Sequence, residues 1–329
     1  MPLYIYNMSL DSYEQIFQQF PASSAEEWKN KIIKDLKGDS FEKLIWHNKE
    51  GIDVLPFYTQ ETTASFVLPI PDKLQHNWQI TERITVDNFQ DANKKALHAL
   101  QNGVQVILFN LSEINITQPE INLLVDKIDT KIAPVYFENY SENNKKQLLS
   151  VCANSCPDII NIPTLNTLTD EIVFALSEGV KLNSSSVYFH FLIGQNYFFE
   201  IARLRAFRWL WNKVCVLQQK KYNVIIRAET STKNFTKEND NNNILRNTTA
   251  AMSAILGGCD QLLINSHDVL NGETDFGKRI ARNIQHILYY ESYFNEINDA
   301  VKGCYYIEYL TFHFAKNAWE KFSKSYSII

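Results

Sequence analysis

Six short runs that are apolar on both faces, separated by stretches with helical spacing, constrain this chain more than any other feature of its sequence. The runs cover residues 104–109, 132–137, 158–162, 187–193, 224–228 and 260–265. A strand that is apolar on both faces needs cover on both, which helices supply in parallel sheets. The segments between the runs have the matching pattern. Residues 197–217 place Ile201, Leu204, Phe207, Leu210, Trp211 and Val214 on one face, and 278–297 do the same with Ile280, Ile284, Ile287 and Leu288. Strand–helix alternation predicts an α/β fold with a parallel sheet. A chain of 329 residues holds at least six such units and has room for eight, which favours a (β/α)8 TIM-type barrel. The open doubly wound alternative would call for a Gly-rich strand-to-helix turn, and none occurs.

Ahead of the first run lies a separate helix signal. Ser24 and Glu27 form a capping box, Trp28, Ile32, Ile33 and Leu36 recur at helical spacing, and Gly38 supplies the stop. Residues 1–60 are therefore expected to be an N-terminal helical arm and 61–329 the barrel. Composition excludes several classes of function. A formal net charge of -5 gives no basic excess for nucleic acid, and no stretch is apolar for the length of a membrane span. The start of the chain lacks a basic, then apolar, leader, and the five cysteines do not form a zinc-type pair of pairs. These features predict a cytoplasmic setting. The spaced motifs of zinc proteases and serine hydrolases are missing.

Ordered motifs then link the chain to a family. Glu26-Glu27-Trp28-Lys29, Lys34-Asp35-Leu36-Lys37-Gly38 and Glu50-Gly51-Ile52-Asp53-Val54-Leu55-Pro56-Phe57-Tyr58-Thr59 come first. Ile193-Gly194-Gln195-Asn196-Tyr197-Phe198-Phe199-Glu200-Ile201-Ala202-Arg203-Leu204-Arg205-Ala206 follows, then Glu229-Thr230-Ser231 and Asn242-Asn243-Ile244-Leu245-Arg246. Asn265-Ser266-His267-Asp268, Arg279-Ile280-Ala281-Arg282-Asn283-Ile284-Gln285 and Glu308-Tyr309-Leu310-Thr311 close the series. The chain resembles methylmalonyl-CoA mutases over nearly its whole length. The resemblance implies a barrel that binds an acyl-CoA along its axis, capped by adenosylcobalamin, which carries the radical rearrangement.

Departures from the family pattern bear on the chemistry. Catalytic chains carry W-T-I-R-Q-Y, where Trp78-Gln79-Ile80-Thr81-Glu82-Arg83 stands here, so Thr81 replaces the arginine and Arg83 the tyrosine. Glu229 replaces the glutamine of a QTS segment, and no GYH segment occurs between 140 and 190. The Asp-x-His-x-x-Gly loop of a cobalamin-binding domain is also missing, and that domain is expected to be absent. This pattern resembles the small subunit of heterodimeric mutases. It implies a chain with no catalytic residues, stabilising a large catalytic subunit, with adenosylcobalamin held by the complex and not by this chain. The alternative is a stand-alone acyl-CoA-binding or mutase barrel using cobalamin from another chain. Arg83, Glu229, Thr230, Ser231 and His267 are the candidate substrate-pocket residues, vestigial on the first reading. His190 reads as a core or lumen histidine, Arg203, Arg205 and Arg208 as solvated or interface cations, and Cys152 and Cys156 as an incidental pair.

Overall fold

Alternation of strand and helix is what the structure has, in a computed structural model that describes residues 23–64, 77–112, 114–151, 156–182, 186–220 and 223–325. The chain divides into two units, Met1–Ser65 and Phe66–Ile329. In the first, helix α1 (Ala25–Asp35) starts at the predicted capping box. Ser24 Oγ accepts from the Glu27 N–H, and Glu27 Oε2 accepts from the Ser24 N–H at 2.8 Å. Trp28 stacks flat on Phe57 with ring centroids 4.9 Å apart, which joins two of the sequence motifs, yet Trp28 stays 54 % exposed.

The second unit carries strands β1 (Gln79–Thr85), β2 (Val106–Asn110), β3 (Val135–Glu138), β4 (Ile159–Asn161), β5 (Ser186–Ile193), β6 (Asn223–Thr230) and β7 (Gln261–Leu263). Between and after them come α2 (Phe89–Gln101), α3 (Gln118–Leu124), α4 (Glu142–Val151), α5 (Leu168–Gly179), α6 (Tyr197–Leu217), α7 (Asn242–Leu256), α8 (Asp275–Tyr290) and α9 (Tyr305–Ser325). All ladders are parallel, in the order β3-β2-β1-β7-β6-β5-β4.

The eight-stranded barrel expected from sequence is corrected to seven strands among the described residues. Gln79–Thr81 pair directly with Gln261–Leu263, so β1 and β7 leave no place for a strand between them. Residues 291–304 form turns, and α9 packs on α5 and α6. No ladder joins β3 to β4 among the described residues. The sheet is nonetheless rolled, because Tyr136 on β3 meets Tyr188 on β5, hydroxyl to hydroxyl at 3.0 Å. These strands are far apart in the sheet order, and only curvature brings their inner faces together. All six predicted runs contain a strand. The seventh strand, β1, is not an apolar run, because Thr81, Glu82 and Arg83 occupy its middle. Its charges are matched on both faces: Arg83 points inward, and Glu82 accepts from Arg282 of α8 at 2.9 Å on the outer side.

Strand side chains alternate between the helix-covered face and the inner face. The covered face holds Ile80, Ile84, Phe109, Phe137, Phe189, Phe191 and Ile226, all buried. Arg203 and Arg205 on α6 are not solvated cations. Each is about 1 % exposed, because α6 lies buried between the sheet and α9. Arg203 is paired with Glu171 and Glu200, and Arg205 with Asp299 and Glu308. Arg208 donates to the Gly258 carbonyl at 2.6 Å and to Asp260 at 2.8 Å. A buried guanidinium needs such partners to offset its lost hydration. Among the described residues no helix is long and apolar enough to cross a membrane.

Candidate functional site

The inner face of the rolled sheet has an apolar layer and a polar layer above it. Val106, Leu108, Tyr136, Tyr188 and Leu263 form one packed cluster, with Ile159 and Ile225 against it. Six of the seven strands thus contribute side chains to this layer, as barrel interiors do when they are filled rather than hollow. Arg227 packs against the tyrosines, its guanidinium carbon 5.3 Å from the Tyr136 ring centroid and 5.9 Å from that of Tyr188. Its Nε donates to Gln261 at 3.0 Å, while both terminal nitrogens lack a hydrogen-bond acceptor and rest on the aromatic faces. Burial pulls the Arg227 pKa below its ordinary value, with the nearby Glu138 opposing that shift. Burial and the bond to Tyr136 push the Tyr188 hydroxyl well up.

Toward the C-terminal ends of the strands the charges converge. Arg83 donates to Glu229 through Nη1 at 2.8 Å and Nη2 at 2.7 Å, a two-pronged pair. Its Nε donates to Glu138 Oε1 at 2.5 Å. Glu229 also accepts from Asn265 Nδ2 at 2.9 Å. His190 Nε2 stands 2.9 Å from Glu229 Oε2, a close contact without the alignment of a hydrogen bond, and its Nδ1 is 3.0 Å from Asn161 Oδ1. Burial alone would lift the Glu229 carboxyl. His190 and Arg83 outweigh it and hold the group far below the usual carboxylate range. Burial alone would lower the Arg83 pKa, but Glu229 and Glu138 raise it further above its ordinary value. Over this network opens a cleft of about 590 Å3 that includes Asn110, Asn161, His190 and Arg227 in its walls.

Of the residues predicted from sequence, Arg83 and Glu229 come together at the centre of this site. Thr230 is fully buried beside them, where its Oγ1 accepts from the Asn265 N–H at 3.0 Å and fixes the turn after β7. Ser231 sits half-buried just past β6, its N–H donating to the Ile193 carbonyl at 2.9 Å. His267 is not part of the network. It is buried with its ring edge-on to Phe276 of α8, and its Nδ1 has no partner. Glu138, Asn161, Asn265, Tyr136, Tyr188 and Arg227 were not singled out from sequence as site residues. A signal for some of them exists, since inward positions recur every second residue. Counting back from Glu229 reaches Arg227, and from His190 reaches Tyr188. Cys152 lies outside the described residues, and Cys156 is buried.

Among the described residues no group of three or more His, Cys, Asp or Glu is arranged to hold a metal ion. The ring nitrogens of His190 face Asn161 and Glu229, and the Nδ1 of His267 is sealed from solvent.

Comparison with known proteins agrees with the sequence motifs. A family profile described as methylmalonyl-CoA mutase matches residues 167–326. The methylmalonyl-CoA mutase small subunit of Porphyromonas gingivalis is 31 % identical, over 94 % of this chain and 64 % of the relative. The methylmalonyl-CoA mutase of Rhizobium meliloti is 37 % identical over 46 % of this chain. The large subunit from Propionibacterium freudenreichii subsp. shermanii is 34 % identical over 51 %. The chain spans 64 % of the length of the first relative and 24 % of each of the other two.

Proposed function

The chain belongs to the methylmalonyl-CoA mutase family, and from that premise we propose that it is the small, non-catalytic subunit of an adenosylcobalamin-dependent methylmalonyl-CoA mutase. The observation that carries the reading is the Arg83–Glu229 pair. At these two positions the resemblance implies a substrate-facing tyrosine and a glutamine. Here the replacements are an arginine and a glutamate that bind each other across the inner face, two-pronged, at 2.7 and 2.8 Å. Groups that saturate each other are not aimed at a substrate. Thr81, standing where the family has arginine, is buried and donates to the Gln79 carbonyl at 3.3 Å.

The layer below supports the same conclusion. An acyl-CoA held along the barrel axis needs an open axis. In this chain Tyr136, Tyr188 and the aliphatic side chains around them fill it. On this reading the barrel serves as a folded scaffold, the catalytic acyl-CoA site and cobalamin belong to a large partner subunit, and residues 1–60 contact that partner. The half-exposed Trp28–Phe57 stack suits such a contact, since aromatic side chains are favoured at interfaces. The subunit names of the Porphyromonas and Propionibacterium relatives support a two-chain assembly.

The test is co-expression with a large mutase subunit, followed by turnover assays with methylmalonyl-CoA and adenosylcobalamin. The chain alone is expected to give no turnover. The large subunit is expected to lose yield and thermal stability without it. In calorimetry of the isolated chain a CoA ester is expected to bind no more tightly than ADP, so that its acyl and pantetheine parts add nothing. Turnover, or ester binding much tighter than that of ADP by the isolated chain, would overturn the proposal in favour of a stand-alone acyl-CoA barrel.

A further inference from the structure

Away from the inner face, α2 and α8 flank β1 without packing along their lengths. Their lower ends do meet, where His286 of α8 lies 2.9 Å from the Asn102 carbonyl just past α2. The approach is close enough that a Cβ on Gly103 would stand 2.6 Å from the His286 ring. Above that contact the helices part into a cleft of about 590 Å3, within the range of small-molecule sites. The Arg282–Glu82 pair forms its floor.

The lining is strongly basic in a chain whose formal net charge is -5. Five basic side chains, Lys94, Lys95, Lys278, Arg279 and Arg282, and His98 line it against two acids, Glu82 and Asp275. Lys94 and Lys278 each have an acid neighbour outside the lining, Asp91 at 3.5 Å and Glu273 at 2.9 Å. Lys95 and Arg279 have no carboxylate within 4.0 Å among the described residues, and Arg279 lies over the Phe276 ring at 5.3 Å. Arg282 is 6 % exposed and spends its Nε and Nη2 on Glu82, while Nη1 donates to no protein acceptor. A concave site with excess positive charge, a pre-positioned guanidinium on its floor and unpaired cations on both walls matches one chemistry: an oligophosphate. Arginine favours phosphate through its forked donors, and lysine adds point charge.

We propose that the α2–α8 cleft binds the diphosphate group of a small ligand, with Lys95 and Arg279 gripping it from opposite walls and Arg282 beneath. The site lies on the helix-covered side of β1, apart from the inner-face network, and does not depend on the subunit reading above.

Calorimetry of the full chain at low salt would use pyrophosphate, ADP and orthophosphate as probes. Saturable binding of pyrophosphate and ADP is expected, at least tenfold tighter than orthophosphate and weakened by added salt. The pair Lys95→Glu with Arg279→Glu, both outside the core, should weaken pyrophosphate binding at least tenfold. Lys31→Glu on α1, with unchanged circular dichroism in both variants, should leave it unaltered. No heat with pyrophosphate and ADP would overturn the proposal. So would equal loss in the Lys31 control, or binding of an acidic peptide such as oligoglutamate in preference to pyrophosphate.

Discussion

Replacing Glu229 by glutamine tests whether the inner face is a stabilising plug or a ligand site. Glutamine keeps the shape of the side chain and removes the charge that faces Arg83, His190 and Asn265. Removing one partner of a buried pair costs about 3–5 kcal/mol, because the other charge is left without compensation. Arg83 retains Glu138 at 2.5 Å and its side chain is 25 % exposed, which argues for the lower end, about 3 kcal/mol. For a domain of this size that corresponds to a fall in melting temperature of about 6–12 °C. Urea unfolding followed by circular dichroism would measure it, with Arg83→Gln and the double variant completing a cycle. A coupling of about 2 kcal/mol is expected between the two sites.

The sign with pH follows from the depressed Glu229 carboxyl. Its contribution is fully present above the unfolded-state glutamate value of about 4.3 and is lost as pH falls toward the lower folded value. The difference between wild type and Glu229→Gln should therefore shrink as pH falls below about 4. A stability loss under about 0.5 kcal/mol at pH 7, the level of an ordinary surface change, would refute the plug. It would mean that these groups wait for a ligand instead of holding each other.

Three further outcomes are expected. Glu200 is wholly buried; burial raises its pKa more than Arg203 and the Gly194 N–H lower it. For an acid with a raised folded pKa, stability falls as pH rises from the unfolded value through the folded one, so Glu200→Gln should remove a loss of melting temperature that sets in above pH of about 4.3; a variant that loses more stability at higher pH than near that value would contradict this. Gly179→Ala would place a Cβ 2.4 Å from Trp211 and 2.9 Å from Phe189, and this overpacking should cost about 1–3 kcal/mol in chemical denaturation. Trp78→Phe removes the indole N–H that donates to Gln285 at 3.2 Å and leaves that buried amide oxygen unmatched, for a loss of about 1–3 kcal/mol in the same assay.

Where neighbours in sequence decide the structure, the amino-acid pattern alone was enough. The Ser24–Glu27 cap, the helix behind it and the core of six strands were legible because caps and periodicity depend on residues a few positions apart. The replacements at Arg83 and Glu229 were equally visible, each judged at its own position. Their pairing was not, since 146 positions separate them and only the curvature of the sheet brings β1 and β6 to one centre. The same is true of β1, whose charges hide a strand until Glu138, Glu229 and Arg282 are seen to meet them, and of Arg203 and Arg205, whose burial follows from carboxylates delivered by α5, α9 and the turns before it. His267 shows the reverse case: a strand end pointed to the mouth, yet the ring is buried edge-on to Phe276, apart from the network. Local spacing sets which elements form. Register and sheet curvature decide which charges meet, and a buried charge is tolerated only where the tertiary fold delivers its partner.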